Sequence, residues 1–142
     1  MLNPIRLEEI VISESEYMKV VILAGGFGTR IRDVSEDIPK PMIPIGPYPI
    51  IWHIMKYYSM FGHKDFIICL GYKGKIIRDF FINYRAYTQD VTISLKNPNE
   101  YNYRNKFLEE DWNITLVDTG LNSMTGGRVR RLRKILGKEK FF

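Results

Sequence analysis

Cysteine is almost absent. Cys69 is the only one in 142 residues, which excludes a disulfide framework and a zinc centre built on several thiolates. A reducing cytoplasm is the compartment that suits this usage. Long apolar runs are also missing. The longest, such as Val20 to Ala24, extend about five residues, against the roughly 20 that a membrane span needs. A transmembrane helix is therefore excluded. No basic-then-apolar leader opens the chain, so no secretory signal is expected. Acidic residues are the minority, 16 against 21 basic, for a net charge of +5. The excess is local. Gly126 to Lys140 holds seven basic residues (Arg128, Arg130, Arg131, Arg133, Lys134, Lys138, Lys140) and one acid, Glu139. The remaining chain is close to neutral, so the basic pI does not describe a nucleic-acid-binding surface spread over the fold.

What is present suits a globular domain. Apolar residues make up 45% and charged residues 26%, ordinary values for a folded chain. Nine Tyr, eight Phe and two Trp exclude disorder overall. Residues 1–17 read as an N-terminal extension, with a start at Met18 expected for the domain proper. Val20 to Ala24 has the composition of a strand buried on both faces of a parallel sheet. Gly25 to Lys40 reads as a loop, and Pro39, Pro41, Pro44, Pro47 and Pro49 forbid a continuous helix through this region.

Pro49 to Gly62 reads as a helix, with Ile50, Ile51, Ile54, Met55, Tyr58 and Phe61 on one arc. Asp65 to Gly71 is a second buried strand. Ile76, Ile77, Phe80, Phe81 and Tyr84 mark a second helix. Asp90 to Lys96 alternates as a strand, 97–111 reads as a loop, and Asn113 to Asp118 as another strand. Thr125 to Leu136 reads as one helix with Val129, Leu132, Ile135 and Leu136 as its apolar stripe. The fold class expected is α/β: a Rossmann-like, mostly parallel sheet with helices on both faces. Phe141 and Phe142 look like the opening of one more buried strand.

The sharpest feature is Leu23-Ala-Gly-Gly-Phe-Gly-Thr-Arg30, directly after the first strand. Glycines let backbone N–H groups converge on an anion, and an arginine offers a fork of donors matched to phosphate oxygens. Such a loop at the carboxyl end of the first strand is where phosphate ligands sit in α/β sheets. It is not a Walker A loop, because no Gly-Lys-Ser/Thr follows. Ile31 stands where a dinucleotide-binding turn would place its third glycine.

Together with Pro39-Lys40-Pro41-Met42, this pattern resembles the sugar-1-phosphate nucleotidyltransferases, and the resemblance runs from Met18 to Phe142. Four further stretches, Pro49–Met55, Asp65–Gly74, Trp112–Gly120 and Ser123-Met-Thr-Gly-Gly-Arg128, look like the glucose-1-phosphate cytidylyltransferase branch. The resemblance implies transfer of CMP from CTP to glucose-1-phosphate, for the sugars of surface polysaccharide. It assigns the triphosphate cradle to Gly25, Gly26, Gly28 and Thr29, and counts Leu23 and Ala24 among the nucleotide-binding residues. Arg30 and Lys40 would offset charge in the transition state. Gly120, Thr125, Gly126, Gly127 and Arg128 would border the nucleotide pocket.

It also implies Mg²⁺ and a homo-oligomer. The family's metal-binding aspartates fall beyond Phe142, so residues 18–142 are expected to be the nucleotide-binding half of a truncated domain. Inactivity is the expectation for this length of chain, and no residue in it is assigned as a metal ligand. Alternatives are a uridylyl- or thymidylyltransferase of the same family, or a non-catalytic nucleotide-binding fragment. Beside these stand simpler roles: Cys69 as inert core, Trp52 and His53 in packing or at the surface, and the Arg130–Lys134 cluster as a solvated helix face. Tyr101, Tyr103 and Trp112 are read as a loop packing on a neighbouring subunit.

Overall fold

The computed structural model describes residues 17–27, 37–104 and 110–142. Its centre is a three-stranded, wholly parallel sheet of β1 (Val20–Leu23), β4 (Asp65–Leu70) and β7 (Asn113–Asp118), in the order β1-β4-β7. The register pairs Leu23 with Cys69 and Leu70 with Asp118, so the three carboxyl ends finish on one edge. Beyond β1, Phe141 bridges Lys19 in parallel, and the Phe142 N–H donates to the Lys19 carbonyl at 3.0 Å. The expected strand opening does add to the sheet there, but Phe141 and Phe142 are 39% and 49% exposed rather than buried.

Strand β4 shows why this sheet needs cover on both sides. Phe66, Ile68 and Leu70 point to one face and join Ile51 and Met55 of α1 (Ile50–Met60) and Ile77 of α2 (Gly74–Ile82). Ile67 and Cys69 point to the other and join Leu132 and Leu136. The alternation follows from the period of two along a strand, and a strand apolar at every position is stable only between two layers. Cys69 is fully buried, and burial pushes its thiol up despite the opposing charge of Arg128. It is inert core, as its place in the strand suggested.

Several boundaries differ from the sequence reading. Pro49 does not enter the helix. It ends a short hairpin of β2 (Pro44–Ile45) and β3 (Tyr48–Pro49), turned at Gly46 with φ +63°, and caps α1 from outside with extended backbone. Ile54 and Phe61 of the apolar arc are exposed; Ile51 and Met55 are its buried members, and Tyr58 packs part-buried against the same core. The second helix breaks at Asn83, so Tyr84 belongs to a separate α3 (Tyr84–Thr88). The 97–111 loop contains β6 (Tyr101–Tyr103), which pairs antiparallel with β5 (Val91–Ile93) away from the main sheet. Ile93 and Leu95 are correspondingly exposed. Finally, the third helix divides at Leu132 into α4 (Thr125–Arg131) and α5 (Arg133–Leu136).

Trp112 is the clearest departure. It packs inside its own chain, 5.7 Å from the Phe66 ring and 5.8 Å from Trp52. Trp52 donates through Nε1 to the Tyr84 hydroxyl at 2.7 Å, which in turn donates to Glu110 at 3.2 Å. Burial pushes the Tyr84 phenol up, so it stays a neutral donor. The packing role expected of Trp52 is therefore met. His53 contacts the Ile45 carbonyl through Nε2 at 2.9 Å and fastens the hairpin to α1.

Candidate nucleotide site

The common edge of the sheet collects three connections: the residues after Leu23, those after Leu70, and the turn from Thr119 to Met124. With α1 and α2 on one face and α5 on the other, the chain changes direction at β1. The sheet grows from β1 through β4 to β7 and then returns to place Phe141 on the far side of β1. A crevice outside the carboxyl ends at such a reversal is the usual ligand site of an open α/β sheet. A cleft of about 520 Å³ lies there, bounded by Leu23, Gly25, Gly26 and Phe27 on one side and by 121–125 with Arg128 on the other.

The turn after β7 is built by short polar bonds. The Gly120 N–H donates to Asp118 Oδ1 at 3.0 Å, and Gly120 holds φ +87°, a conformation that favours glycine. The Ser123 hydroxyl donates to the Thr119 carbonyl at 2.6 Å. Thr119 is fully buried; its N–H and its hydroxyl both donate to the Leu70 carbonyl, at 2.9 and 2.8 Å. This ties the end of β7 to the end of β4. On the other side, the Ala24 N–H donates to the Cys69 carbonyl at 3.0 Å and the Tyr72 N–H to the Gly25 carbonyl at 3.3 Å.

Arg128 joins all three. It is 5% exposed, while Arg130, Arg131, Arg133 and Lys134 around it are exposed. Its Nη1 donates to Thr119 Oγ1 at 2.8 Å and the Leu70 carbonyl at 3.3 Å. Its Nη2 donates to the Gly25 carbonyl at 2.8 Å and the Leu121 carbonyl at 3.4 Å. A buried guanidinium is tolerated only when its donors are met, and here carbonyl oxygens and a hydroxyl meet them.

Replacing Thr119 by valine keeps the shape but removes the hydroxyl that both gives to Leu70 and receives from Arg128. A hydrogen bond to a charged group contributes about 2 kcal/mol. The Thr119→Val variant is expected to melt about 5 °C lower; a melting curve that overlays the wild type would contradict it.

Of the residues assigned from sequence, Leu23, Gly25, Gly26, Thr125 and Arg128 line the cleft. Ala24 is buried beneath it, and Gly120 sets the turn that supports its far side. Gly126 and Gly127 are exposed in the first turn of α4 and are not lining residues. Lys40 is exposed in a short 3₁₀ turn (Lys40–Met42) and is not a lining residue either. Gly28, Thr29 and Arg30 lie outside the described residues.

The structure adds Phe27, Leu121, Asn122, Ser123 and Met124 to the lining. Their signal was present in the glycine loop and in the Ser123–Arg128 run, of which they are members or neighbours. The Mg²⁺ implied by the resemblance does not fit the described residues. No three His, Cys, Asp or Glu side chains cluster among them, none of the described lining residues is acidic, and Asp118 is engaged by Gly120.

Residues 19–109, more than half of the chain, match the nucleotidyl transferase family. The chain belongs to that family. It is 50% identical over 126 residues to the glucose-1-phosphate cytidylyltransferase of Salmonella typhimurium, which covers 88% of this chain and 48% of the relative. It is 41% identical over 124 residues to the probable glucose-1-phosphate cytidylyltransferase of Bacillus subtilis, covering 87% of this chain and 48% of the relative.

Among solved structures, HddC from Yersinia pseudotuberculosis complexed with GMP-PN superposes with a TM-score of 0.59 at 31% identity, covering 87% of this chain and 45% of that one. UDP-glucose pyrophosphorylase complexed with UDP-glucose gives a TM-score of 0.60 at 21% identity, covering 87% and 43%, and shows the fold. This nucleotidyl transferase chain thus spans about half the length of the curated relatives it matches.

Proposed function

We propose that the full-length protein transfers CMP from CTP to glucose-1-phosphate, releasing pyrophosphate and CDP-glucose. An oxygen of the sugar phosphate attacks the α-phosphorus of CTP, and the bond from that phosphorus to the bridging oxygen of the leaving pyrophosphate breaks. The protein's task is to align two anions and offset their charge. The glycine loop would present backbone N–H groups to the triphosphate, while Arg30 and Lys40 would supply positive charge. The 121–125 segment would contact the rest of the nucleotide.

The observation that carries this reading is the 50% identity over 126 residues, 88% of this chain; the cleft, which brings Gly25 and Gly26 opposite Ser123, Met124 and Thr125, supports it. With it go a cytoplasmic homo-oligomer and a part in surface polysaccharide synthesis. A Mg²⁺ requirement of the full-length protein also goes with it.

The test is a nucleotide panel on the full-length protein. Turnover with glucose-1-phosphate is measured with CTP, UTP, dTTP and GTP. CTP is expected to exceed each of the others at least about tenfold in kcat/KM, a difference of about 1.4 kcal/mol in transition-state binding. A preference for UTP or dTTP would move the reading to a uridylyl- or thymidylyltransferase. No turnover and no binding with any of them would refute it.

A further inference from the structure

Glycines at phosphate sites are ordinarily explained by the approach of the ligand. The geometry around Gly25 has a different cause. A Cβ placed on Gly25 would overlap Nη1 and Cζ of Arg128, whereas one placed on Gly26 would meet nothing within 4 Å among the described residues. Gly71, across the edge of the sheet, is constrained twice: its Cβ would lie 2.7 Å from Nη1 of Arg128 and as close to the Gly25 carbonyl oxygen, so it admits both the guanidinium and the neighbouring backbone. Two glycines from different connections therefore form a seat for one guanidinium. That guanidinium binds the Gly25 carbonyl, 103 residues away in the chain, and the turn residues Thr119 and Leu121. No carboxylate pairs with it among the described residues.

We propose that Arg128 is a positioning residue. Its guanidinium fixes the distance between the glycine loop and the 119–124 turn, and Gly25 and Gly71 are the seat it requires. Gly25 then serves the cleft through Arg128, and Gly26 is the glycine that faces open space. The identity of the cleft's ligand rests on the function proposed above; the seat itself does not.

The test is a double-mutant cycle in the full-length protein, read by thermal melting and by CTP titration calorimetry. Gly25→Ala is expected to lower the melting midpoint and to weaken CTP at least about tenfold. The same substitution in an Arg128→Ala background is expected to change affinity less than about twofold, because the clash is gone; contacting residues are non-additive in this way. Arg128→Ala alone is expected to weaken CTP about tenfold or more. Gly26→Ala should leave the midpoint unchanged.

Leu136→Ala, a buried residue of α5 outside the cleft, is the control. It should lower the midpoint while leaving CTP affinity within about twofold, which separates positioning from loss of stability. If Gly25→Ala alone does not fold, folding of the double variant is the expected rescue. Equal cost of Gly25→Ala in both backgrounds, or wild-type CTP affinity in folded Arg128→Ala, would overturn the proposal. If the wild type binds no nucleotide, the functional reading falls and the melting cycle still decides the seat.

Discussion

Phe66→Ala is expected to be the most destabilising single change in the described fold. Phe66 is fully buried in the middle strand, with Trp112 against its ring and the α1–α2 layer above it. The strand is hydrogen-bonded on both sides, to β1 and to β7, so the backbone has little freedom to close the cavity left behind. Large-to-small changes at such sites cost about 3–5 kcal/mol, the lost transfer energy plus the cavity. For a chain of this length that corresponds to a fall of roughly 10 °C in the melting midpoint.

Against a typical stability of about 5–15 kcal/mol, much of the margin would be lost. Leu95→Ala is the contrast. Leu95 is 92% exposed, and its truncation should stay within about 0.5 kcal/mol. Both are read from circular dichroism melts at equal concentration. A Phe66→Ala midpoint within about 3 °C of the wild type would show that this layer is not the core.

The second large effect is expected in catalysis and not in folding. Arg30→Ala and Lys40→Ala, made separately in the full-length protein, should each lower kcat by about 10²–10³, the usual consequence of removing one group that stabilises developing charge. Lys40 is exposed, so its loss should move the melting midpoint by no more than about 2 °C. Arg30 is expected to behave alike on the strength of its place in the glycine loop. Steady-state kinetics with saturating CTP and glucose-1-phosphate decide it. Unchanged turnover in either variant would remove that residue from the charge-offsetting role and leave the cleft as a binding site only.

How much of this was legible beforehand depends on the range of the interaction involved. Strands β1, β4 and β7 were readable because each is a short run rich in apolar residues ending at a glycine or a polar turn, and in β4 burial on both faces marks five successive residues. The same holds for the two layers of helices, which the sheet's composition demands. The β5–β6 hairpin was half readable. Val91 and Ile93 alternate, but their partner Tyr101–Tyr103 carries turn-like and charged neighbours that look like a loop. Propensity in a strand depends on what packs beside it, and nothing in Tyr101–Tyr103 names its partner.

Trp112 and Arg128 show the limit most clearly. Trp112, beside a polar stretch, reads as part of a loop for a neighbouring subunit until Phe66 and Trp52 are seen against it. Arg128 precedes five other basic residues from 130 to 138, and only the family resemblance sets it apart from that solvated run. Its inward direction is set by oxygens of Gly25, Leu70, Thr119 and Leu121, which the parallel register gathers on one edge of the sheet.

The three strands of the main sheet, its two-sided cover, the glycine loop and the family could be read from residues alone, because these rest on neighbours close along the chain. Which glycine seats a guanidinium, which arginine is buried in the cleft wall and where the third helix breaks came from packing across the fold. Those outcomes depend on distances between residues as many as 103 positions apart, and a periodicity read along the chain carries no information about them.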